Sequence, residues 1–277
     1  MTDPEMTEHA ATFDRAAPTY DRVGVEFFST FGRMLVDAAE VGPGERVLDV
    51  GTGRGAVLGP AATAVGPTGH AVGVDLAPTM VALTSADLDA VPQATVRRGD
   101  ATALPTDLGT FDAVLSSMVL FFTDDPAATV AHWAEHVAPG GRLGLVTFLA
   151  DDDDDRFRDL TRRWMRDAAD TPTPSGIDGE PTPFELVRDP SWLDQALANA
   201  GFTNVHATVV RHATRFDDAE HWWDWAWSNG MRATLERLDP SARQGFRDAI
   251  VSELDAQRLP DGGMGLHVSI RITIARR

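Results

Sequence analysis

The fold is decided by one stretch of sequence, Val47-Leu48-Asp49-Val50-Gly51-Thr52-Gly53-Arg54-Gly55. Residues 47–50 predict a buried strand, three alternate glycines follow it, and the Ala-rich residues 56–65 predict a helix. Glycine is needed where a strand turns sharply into a helix and a ligand lies against the backbone, because a Cβ atom would collide with both. Open α/β sheets bind nucleotides in such a crevice, at the carboxyl end of a parallel strand. The stretch therefore predicts a site for a nucleotide-like cofactor.

The glycine loop alone leaves the cofactor open, because Gly51-x-Gly53-x-x-Ala56 also fits a loose dinucleotide fingerprint typical of NAD enzymes. Asp49 lies two residues before the first glycine, where it can orient the loop and attract a cationic amine. Asp75 ends a second apolar strand, at the position where an acid binds ribose hydroxyls in both classes of cofactor site. Further motifs along the chain separate the two classes.

Three of these motifs surround the glycine loop in the sequence. The third strand ends at Gly99-Asp100-Ala101. A fourth strand at 111–117 leads through a helix into Pro139-Gly140-Gly141-Arg142-Leu143. Upstream of all of these lies Phe13-Asp14-x-x-Ala17-x-x-Tyr20-Asp21. With the glycine loop and the second strand, they resemble the class I S-adenosylmethionine-dependent methyltransferases, especially the branch of small-molecule and quinone methyltransferases. The motifs follow that family's order and spacing over roughly residues 11–150.

The resemblance implies S-adenosyl-L-methionine as the cofactor and identifies the residues that would bind it. These are Tyr20, Asp49, Gly51, Thr52, Gly53, Asp75, Leu76, Asp100, Ala101 and Ser116. Asp75 would bind the ribose hydroxyls, and Asp100 the edge of the adenine. Tyr20 would close over the methionyl carboxylate or line the path of the methyl group, which also makes it a catalytic candidate. The structural alternatives are helix N-caps for the two acids and an aromatic anchor of the N-terminal helix for Tyr20.

One departure from the family concerns the catalytic base. Relatives often carry a histidine pair after strand four, but this chain reads Met118-Val119-Leu120-Phe121-Phe122 there, so no catalytic histidine is transferred. By position, His221 is the base candidate that we select, with His212 and His267 as others, although a lone histidine is more often structural. His132 and His136 have the helical spacing of metal ligands, yet we expect them to be solvated and predict no metal site.

The alternation of strands and helices predicts an α/β fold with a doubly wound, seven-stranded, mostly parallel Rossmann-like sheet and helical cap insertions. The resemblance places the last strand antiparallel, between strands five and six. The predicted strands lie near 46–50, 71–75, 94–99, 111–116, 142–148, 204–214 and 266–275.

The chain divides into segments around this sheet. We expect an N-terminal helical lid (1–44), the cofactor-binding core (45–150), a cap insertion (151–190), a core helix with strand six (191–216), a Trp-rich helical cap (217–263) and the last strand (264–277). The first insertion begins with five aspartates, which we interpret as a solvated loop because consecutive residues cannot converge on one ion. Substrate identity is expected to depend on the two caps.

Four of the seven tryptophans lie within His221-Trp222-Trp223-Asp224-Trp225-Ala226-Trp227. At helical spacing, Trp223 and Trp227 share one face, whereas Trp222 and Trp225 share a neighbouring one. One interpretation is that these rings pack the cap onto the sheet, and the other is an aromatic wall for a planar or apolar acceptor. For the substrate pocket we select Phe121, Trp222, Trp223, Trp225 and Trp227.

Composition limits the possible partners. The 277 residues carry a formal charge of −18, with 42 acidic and 24 basic residues, all of the latter arginine. This charge repels nucleic acids and anionic membranes, so a small-molecule acceptor is expected. Cysteine is absent, which excludes disulfides and thiolate chemistry. Neither a signal peptide nor an apolar run of membrane-spanning length is found, so we expect a cytoplasmic protein.

These observations predict a methyltransferase that transfers a methyl group from S-adenosylmethionine to an O, N or C atom of a small, largely apolar acceptor in specialised metabolism. One alternative is a protein of the same fold that guides a non-methylating reaction such as a cyclisation. A second is a peptide or carboxylate acceptor, bound by Arg156, Arg158, Arg162 and Arg163. An NAD oxidoreductase is the weakest alternative. The oligomeric state stays open.

Overall fold

A computed structural model describes residues 4–149, 181–256 and 262–277 of the chain. Its centre is a seven-stranded sheet of order β3-β2-β1-β4-β5-β7-β6. β7 runs antiparallel to β5 and β6, and the other neighbouring strands are parallel. The strands are β1 (Arg46–Val50), β2 (His70–Asp75), β3 (Ala94–Arg98), β4 (Phe111–Ser117), β5 (Val137–Phe148), β6 (Thr203–Phe216) and β7 (Met264–Arg276). The predicted fold class, with its antiparallel last strand, is therefore confirmed.

Ten α-helices are described along the chain. They are α1 (Pro4–Ala16), α2 (Phe28–Ala38), α3 (Leu58–Val65), α4 (Pro78–Asp87), α5 (Pro126–Glu135), α6 (Pro183–Arg188), α7 (Pro190–Asn199), α8 (Ala219–Trp227), α9 (Met231–Arg237) and α10 (Pro240–Asp255). Single 3₁₀ turns occupy Gly66–Thr68, Thr106–Leu108 and Leu120–Phe122. None of the described helices combines the length and the apolar character needed to span a membrane.

Aspartate followed by proline marks the start of several helices. The aspartate side chain accepts hydrogen bonds from amides of the first turn, and the proline sits where no amide hydrogen is required. This arrangement occurs at α5, α7 and α10, where the pairs are Asp125-Pro126, Asp189-Pro190 and Asp239-Pro240. The local sequence thus sets the point at which each of these helices begins.

The position of β1 determines where a ligand can bind. β1 lies between β2 and β4, and its residues Val47, Leu48 and Val50 are fully buried because helices cover both faces of the sheet. The strand order reverses between β1 and β4, so the helices that follow these strands diverge at their carboxyl ends. Ligands of doubly wound sheets bind in the crevice formed there.

Helices close both faces of the sheet and one end of the crevice. Phe31 of α2, Leu58 of α3 and Phe246 of α10 belong to the core on one face, whereas Trp133 of α5 and Leu193 of α7 belong to the core on the other. Helices α8 to α10 come between β6 and β7 in the chain, and α1 contacts both α4 and α9. Helix α1 and the α8–α10 segment are thus linked to each other through the contact between α1 and α9.

The segment boundaries stay a prediction. Most of the predicted cap insertion at 151–190 falls outside the described residues, and so do the five aspartates at its start. The four arginines proposed to bind an anionic acceptor, Arg156, Arg158, Arg162 and Arg163, also lie outside the described part of the chain.

Candidate active site

The glycine loop after β1 is fixed to the neighbouring strand. The amides of Gly51 and Thr52 donate hydrogen bonds of 2.8 and 2.9 Å to the carbonyl oxygen of Val74. Gly51 and Gly53 have φ angles of +73° and +50°, in the left-handed region that favours glycine. A Cβ atom at Gly51 would overlap the side chain of Val119, whereas at Gly53 the nearest atom would be 3.8 Å away, in the ring of Tyr20. The loop thus leaves a hollow above Gly53.

Asp75 joins the hollow from the end of β2. Its Oδ2 accepts a hydrogen bond of 2.8 Å from the amide of Gly53, and its Oδ1 accepts one of 2.9 Å from the amide of Ala77. Burial raises the pKa of the Asp75 carboxyl above its usual value, although these backbone amides oppose the shift. The carboxylate therefore holds the loop in place and also lies on the wall where the prediction puts the ribose.

Asp49 lies beneath the loop, near the end of β1, and is only 1% exposed. Burial raises the pKa of its carboxyl to about 7. Its Oδ2 atom is buried and has no hydrogen-bond partner among the described residues. A buried carboxylate without a partner is costly, and a nearby cation would stabilise its charged form. This orphaned oxygen and the hollow above Gly53 fit a cofactor with a cationic amine.

A cavity opens along the loop and the end of β2. Six of the ten predicted cofactor residues line it, namely Tyr20, Gly51, Gly53, Asp75, Leu76 and Ala101. Asp49 and Thr52 lie below the lining and are buried. Asp100 points into its own turn, where its Oδ1 accepts hydrogen bonds of 2.8 Å from both the amide and the hydroxyl of Thr102. The backbone beside Asp100, at Gly99 and Ala101, lines the cavity in its place.

The cavity wall at the end of β4 contains the predicted residue Ser116 only beneath its surface, and other residues form the lining. Ser116, the predicted residue, is buried and donates a hydrogen bond of 2.9 Å to the carbonyl of Val50. The next residues, Ser117, Met118 and Val119, line the cavity. The Ser117 hydroxyl is buried without a hydrogen-bond partner in the described structure, and Met118 has a φ of +60°. The sequence signal for this wall is its place at the end of a central strand, the stretch from which Ser116 and Phe121 are selected.

A second cavity of about 500 Å³ adjoins the first. The two share His9, Phe13, Tyr20, Met118 and Phe122 in their linings. Half of the other residues around the second cavity are aromatic: Phe27, Phe28, Phe121, Phe148, Phe184 and Trp225. No aspartate, glutamate or arginine among the described residues lines it. The arrangement suits an apolar acceptor that reaches the cofactor through the shared wall.

Tyr20 lies at the junction of the two cavities. Its ring stacks on Phe28, with centroids 4.6 Å apart, and meets Phe13 edge-on at 6.1 Å. Burial raises the pKa of the phenol well above its usual value, and the nearby carboxylates of Asp21 and Asp75 add to the shift. Tyr20 is consequently a neutral phenol at physiological pH. Its predicted place over the methionyl carboxylate or along the path of the methyl group stays a prediction. Its protonation state makes it a donor rather than a base.

Of the Trp-rich helix α8, only Trp225 lines the second cavity. Trp222 is fully buried in the core between the cap and the sheet. Trp223 and Trp227 have arginine guanidinium groups over their rings at 5.3–5.6 Å, namely Arg247 on Trp223, and Arg232 and Arg243 on Trp227. Helix α8 therefore contributes one ring to the cavity. Within the predicted substrate pocket, the structure brings together Phe121 and Trp225, whereas the other three rings pack elsewhere.

His221 lies away from both cavities. Its Nε2–H donates a hydrogen bond of 2.8 Å to the carbonyl of Val23, and its Nδ1 accepts one of 3.3 Å from the amide of Asp217. Both ring nitrogens are thus occupied: Nε2 joins the cap to the segment before α2, and Nδ1 bonds to the residue that precedes the N-cap of its own helix. This geometry corrects the assignment of His221 as a base, because neither nitrogen faces a reacting group.

The remaining histidine candidates also lie outside the cavities. His212 packs edge-on against Phe31 at 5.2 Å, and burial lowers its pKa. His267 likewise lines neither cavity. His136 is only 7% exposed, contrary to the expectation that it is solvated, and its Nδ1 lies 2.9 Å from the carbonyl oxygen of Gly109. His132 accepts a hydrogen bond of 2.9 Å from the amide of Leu104. These contacts are structural.

Comparisons with known proteins match this geometry. A family model described as a methyltransferase domain matches residues 47–141, which span the glycine loop, β2 and β4. Nocamycin O-methyltransferase of Saccharothrix syringae is 35% identical over 254 residues, which cover 88% of this chain and 90% of that protein. The chain belongs to the class I S-adenosylmethionine-dependent methyltransferases. Aklanonic acid methyltransferase DauC of Streptomyces sp. (strain C5) is 40% identical over 137 residues, covering 49% of this chain and 62% of that protein.

The structural comparison supports the fold of this methyltransferase. The YcgJ protein of Bacillus subtilis superposes with a TM-score of 0.59 at 17% identity, covering 90% of this chain and 98% of that chain. Membership of the family confirms S-adenosylmethionine as the cofactor and removes the NAD alternative. The non-methylating alternative is not favoured, because the named relatives above are methyltransferases.

The first cavity and the buried carboxyl group of Asp49 offer groups that would fit this cofactor. When bound, the cofactor supplies a methyl group already activated by a neighbouring sulfonium, so the protein mainly has to align the acceptor and exclude water. Gly51 and Gly53 would let the backbone approach the cofactor closely, Asp75 would accept from ribose hydroxyls, and the carboxylate of Asp49 would favour a cationic amine. Tyr20 lies 3.8 Å from the place that a Cβ atom at Gly53 would take.

Proposed function

We propose that this enzyme transfers the methyl group to an oxygen atom of a small, largely apolar acceptor in natural-product metabolism. The observation that carries the proposal is the second cavity, which is aromatic, has a volume of about 500 Å³ and shares a wall with the cofactor cavity. An acceptor seated there meets the cofactor at the shared residues, and the surrounding rings exclude water from the reacting atoms.

The lining of the second cavity indicates the chemical class of the acceptor. Six aromatic rings stand around it in addition to the shared wall, and aromatic faces and edges pack well against planar molecules. A fully charged acceptor would lose its hydration without gaining an ion pair from the described lining. A neutral molecule with a planar apolar body and a hydroxyl group is therefore the acceptor that we propose.

Transfer to oxygen is supported by the named relatives. Nocamycin O-methyltransferase is named for transfer to oxygen, and it aligns over most of both chains. Malonyl-[acyl-carrier protein] O-methyltransferase of Laribacter hongkongensis, 30% identical over 235 residues, is named for the same reaction type. A small-molecule acceptor also agrees with the formal charge of −18, which opposes binding to nucleic acid. The cytoplasmic location stays a prediction.

A matched panel of acceptors tests the proposal. The enzyme would be incubated with S-adenosylmethionine and 2-naphthol, 2-naphthoic acid, transfer RNA or duplex DNA, and the products analysed by mass spectrometry. We expect a methyl group on the naphthol oxygen and none on either nucleic acid. Methylation of the nucleic acids, or no methylated naphthol, would overturn the proposal that this cavity takes a small planar hydroxyl compound.

A further inference from the structure

We propose that His9 is the general base that accepts the hydroxyl proton of the acceptor. The proposal deepens the function above and rests on it. His9 lies on α1 and lines both cavities, so its imidazole stands on the wall where acceptor and cofactor meet. Sequence reasoning overlooked this residue, because it precedes the motifs that carry the family resemblance.

His9 differs from every other histidine of the protein. All eight histidines fall within the described residues, and His9 alone lines either cavity. The histidines predicted as base or metal candidates pack against the core or form hydrogen bonds with backbone atoms, as at His221, His136 and His132. His9 instead presents an imidazole to the cavities, with the edge of Phe122 at a centroid distance of 5.3 Å.

The imidazole of His9 has unused hydrogen-bonding capacity. Its Nδ1 atom is buried and has no hydrogen-bond partner in the described part of the protein. Leaving a buried polar atom unsatisfied costs about 1–3 kcal/mol. A turn of the ring towards the cavities that His9 lines would bring this nitrogen to a ligand hydroxyl and remove that cost.

Only three ionisable side chains line the two cavities among the described residues: His9, Tyr20 and Asp75. Asp75 is held by the amides of Gly53 and Ala77 and lies at the cofactor end. Burial keeps the phenol of Tyr20 protonated, so it cannot accept a proton. A ring nitrogen of a neutral imidazole accepts a proton, and histidine is the side chain that enzymes use most often for this purpose, which makes His9 the member of this set suited to general-base catalysis.

Contacts from two neighbouring elements fix α1, and with it His9. The amide of Thr79 donates a hydrogen bond of 2.6 Å to Asp14. Arg15 forms an ion pair with Glu236 of α9 at 2.5 Å, and Glu8 forms one with Arg237 at 2.6 Å. Glu8 is the charged neighbour of His9 on its own helix. The residues at the end of β4 and after it that line the cavity with His9 carry no charge, namely Ser117, Met118, Val119, Phe122 and Thr123.

The proposed step balances without any further reactant. The hydroxyl proton of the acceptor moves to the His9 imidazole as the oxygen forms its bond to the methyl carbon. The bond between that carbon and the sulfur breaks, and its electron pair stays on the sulfur. The imidazolium then releases its proton to solvent. General-base catalysis of this kind contributes about 10²–10⁴-fold to a rate.

The test uses a chromogenic acceptor analogue, 4-nitro-1-naphthol, whose ionised form absorbs visible light. It would be bound to the protein in the presence of S-adenosylhomocysteine at a pH where the free compound is mostly neutral. In the parent protein we expect the bound probe to be ionised and paired with the protonated imidazole of His9, the proton of the probe having gone to solvent. In His9→Gln it should bind in the neutral form, because an apolar cavity without a base disfavours the anion. His206→Gln, on the exposed edge strand, is the matched control and should behave like the parent.

Rates provide the second measurement. At neutral pH His9→Gln should methylate 2-naphthol at least about 100-fold more slowly than the parent, and the difference should shrink as the pH is raised until the naphthol itself ionises. Equal ionisation of the bound probe in parent and variant, or a loss of rate that is the same at every pH, would overturn the role of His9 as a base. If neither protein binds the probe or methylates 2-naphthol, the result contradicts the proposed function and not the role of His9 within it.

Discussion

The amide of Gly53 donates a 2.8 Å hydrogen bond to the carboxylate of Asp75. This bond joins the loop after β1 to the end of β2, which are 22 residues apart in the chain. The same carboxylate also accepts from Ala77, at the start of the turn into α4. One side chain therefore shapes the loop on which the cofactor rests and faces the cavity in which the ribose would lie.

Replacing Asp75 should thus weaken cofactor binding more than replacing an acidic residue far from the cavity. Asp75→Ala removes a charged acceptor and the support of the loop, and hydrogen bonds to charged groups contribute about 1.5–3 kcal/mol each. We expect S-adenosylmethionine to bind at least about tenfold more weakly in calorimetry. Asp89→Ala, at an exposed position after α4, is the control and should bind like the parent. Parent-like binding by both variants would refute the role given to Asp75.

Asp49 makes the stability of the protein depend on pH. Burial raises the pKa of its carboxyl from 3.8 to about 7, so between these values the folded protein holds a proton that the unfolded chain has lost. The free energy of unfolding should therefore fall as pH rises from about 4 to about 7, by at most about 4 kcal/mol, and level off above. The Tm of Asp49→Asn should therefore rise relative to the Tm of the parent as the pH is raised from about 4 to about 7. A Tm difference that is constant with pH would contradict the prediction.

Much of the fold could be predicted because its signals are local. The buried run of β1 and the glycines after it act within a few residues, and they place the central strand and the crevice. The position of β7 between β5 and β6 came from the family resemblance rather than from any local signal. That strand is paired with residues far away in the chain, such as Leu145 with Thr273.

The walls of the site depend on long-range packing, which is why they were predicted less well. The periodicity of α8 predicted which tryptophans share a face, but not that Trp225 alone would meet the cavity. Similarly, Asp100 was assigned to adenine by position, whereas its side chain turns back to Thr102. His9 gave no sequence signal at all, since its role depends on how α1 lies across α4 and α9.

The tryptophans of α8 should differ in their effect on stability. Trp222 is fully buried in the main core, so Trp222→Ala should lower the free energy of unfolding by about 3–5 kcal/mol. Trp223→Ala, which removes a partly exposed ring under Arg247, should cost clearly less. Urea denaturation of both variants measures this difference. Equal losses would show that the two rings share the same packing role.

Filling the second cavity should separate acceptor binding from cofactor binding. Thr234 lines that cavity on α9, whereas its neighbour Ala233 does not. Thr234→Trp should therefore abolish binding of 4-nitro-1-naphthol while leaving the affinity for S-adenosylmethionine within about twofold, a change of less than 1 kcal/mol. Ala233→Trp is the matched control and should retain both activities. If Thr234→Trp still bound the probe like the parent, the second cavity would not be the acceptor site.

The central claim is that the hollow above Gly53 holds the cofactor, and a pair of glycine variants tests it most directly. Gly53 and Gly109 both have positive φ angles, +50° and +71°, so valine strains the backbone at either position. At Gly109 a Cβ atom would meet nothing within 4 Å, whereas at Gly53 it would project towards Tyr20 on the wall of the cofactor cavity. Calorimetric titration with S-adenosylmethionine should show binding by the parent and by Gly109→Val, and a loss of at least about 100-fold in Gly53→Val. Undiminished binding by a folded Gly53→Val protein would contradict the account.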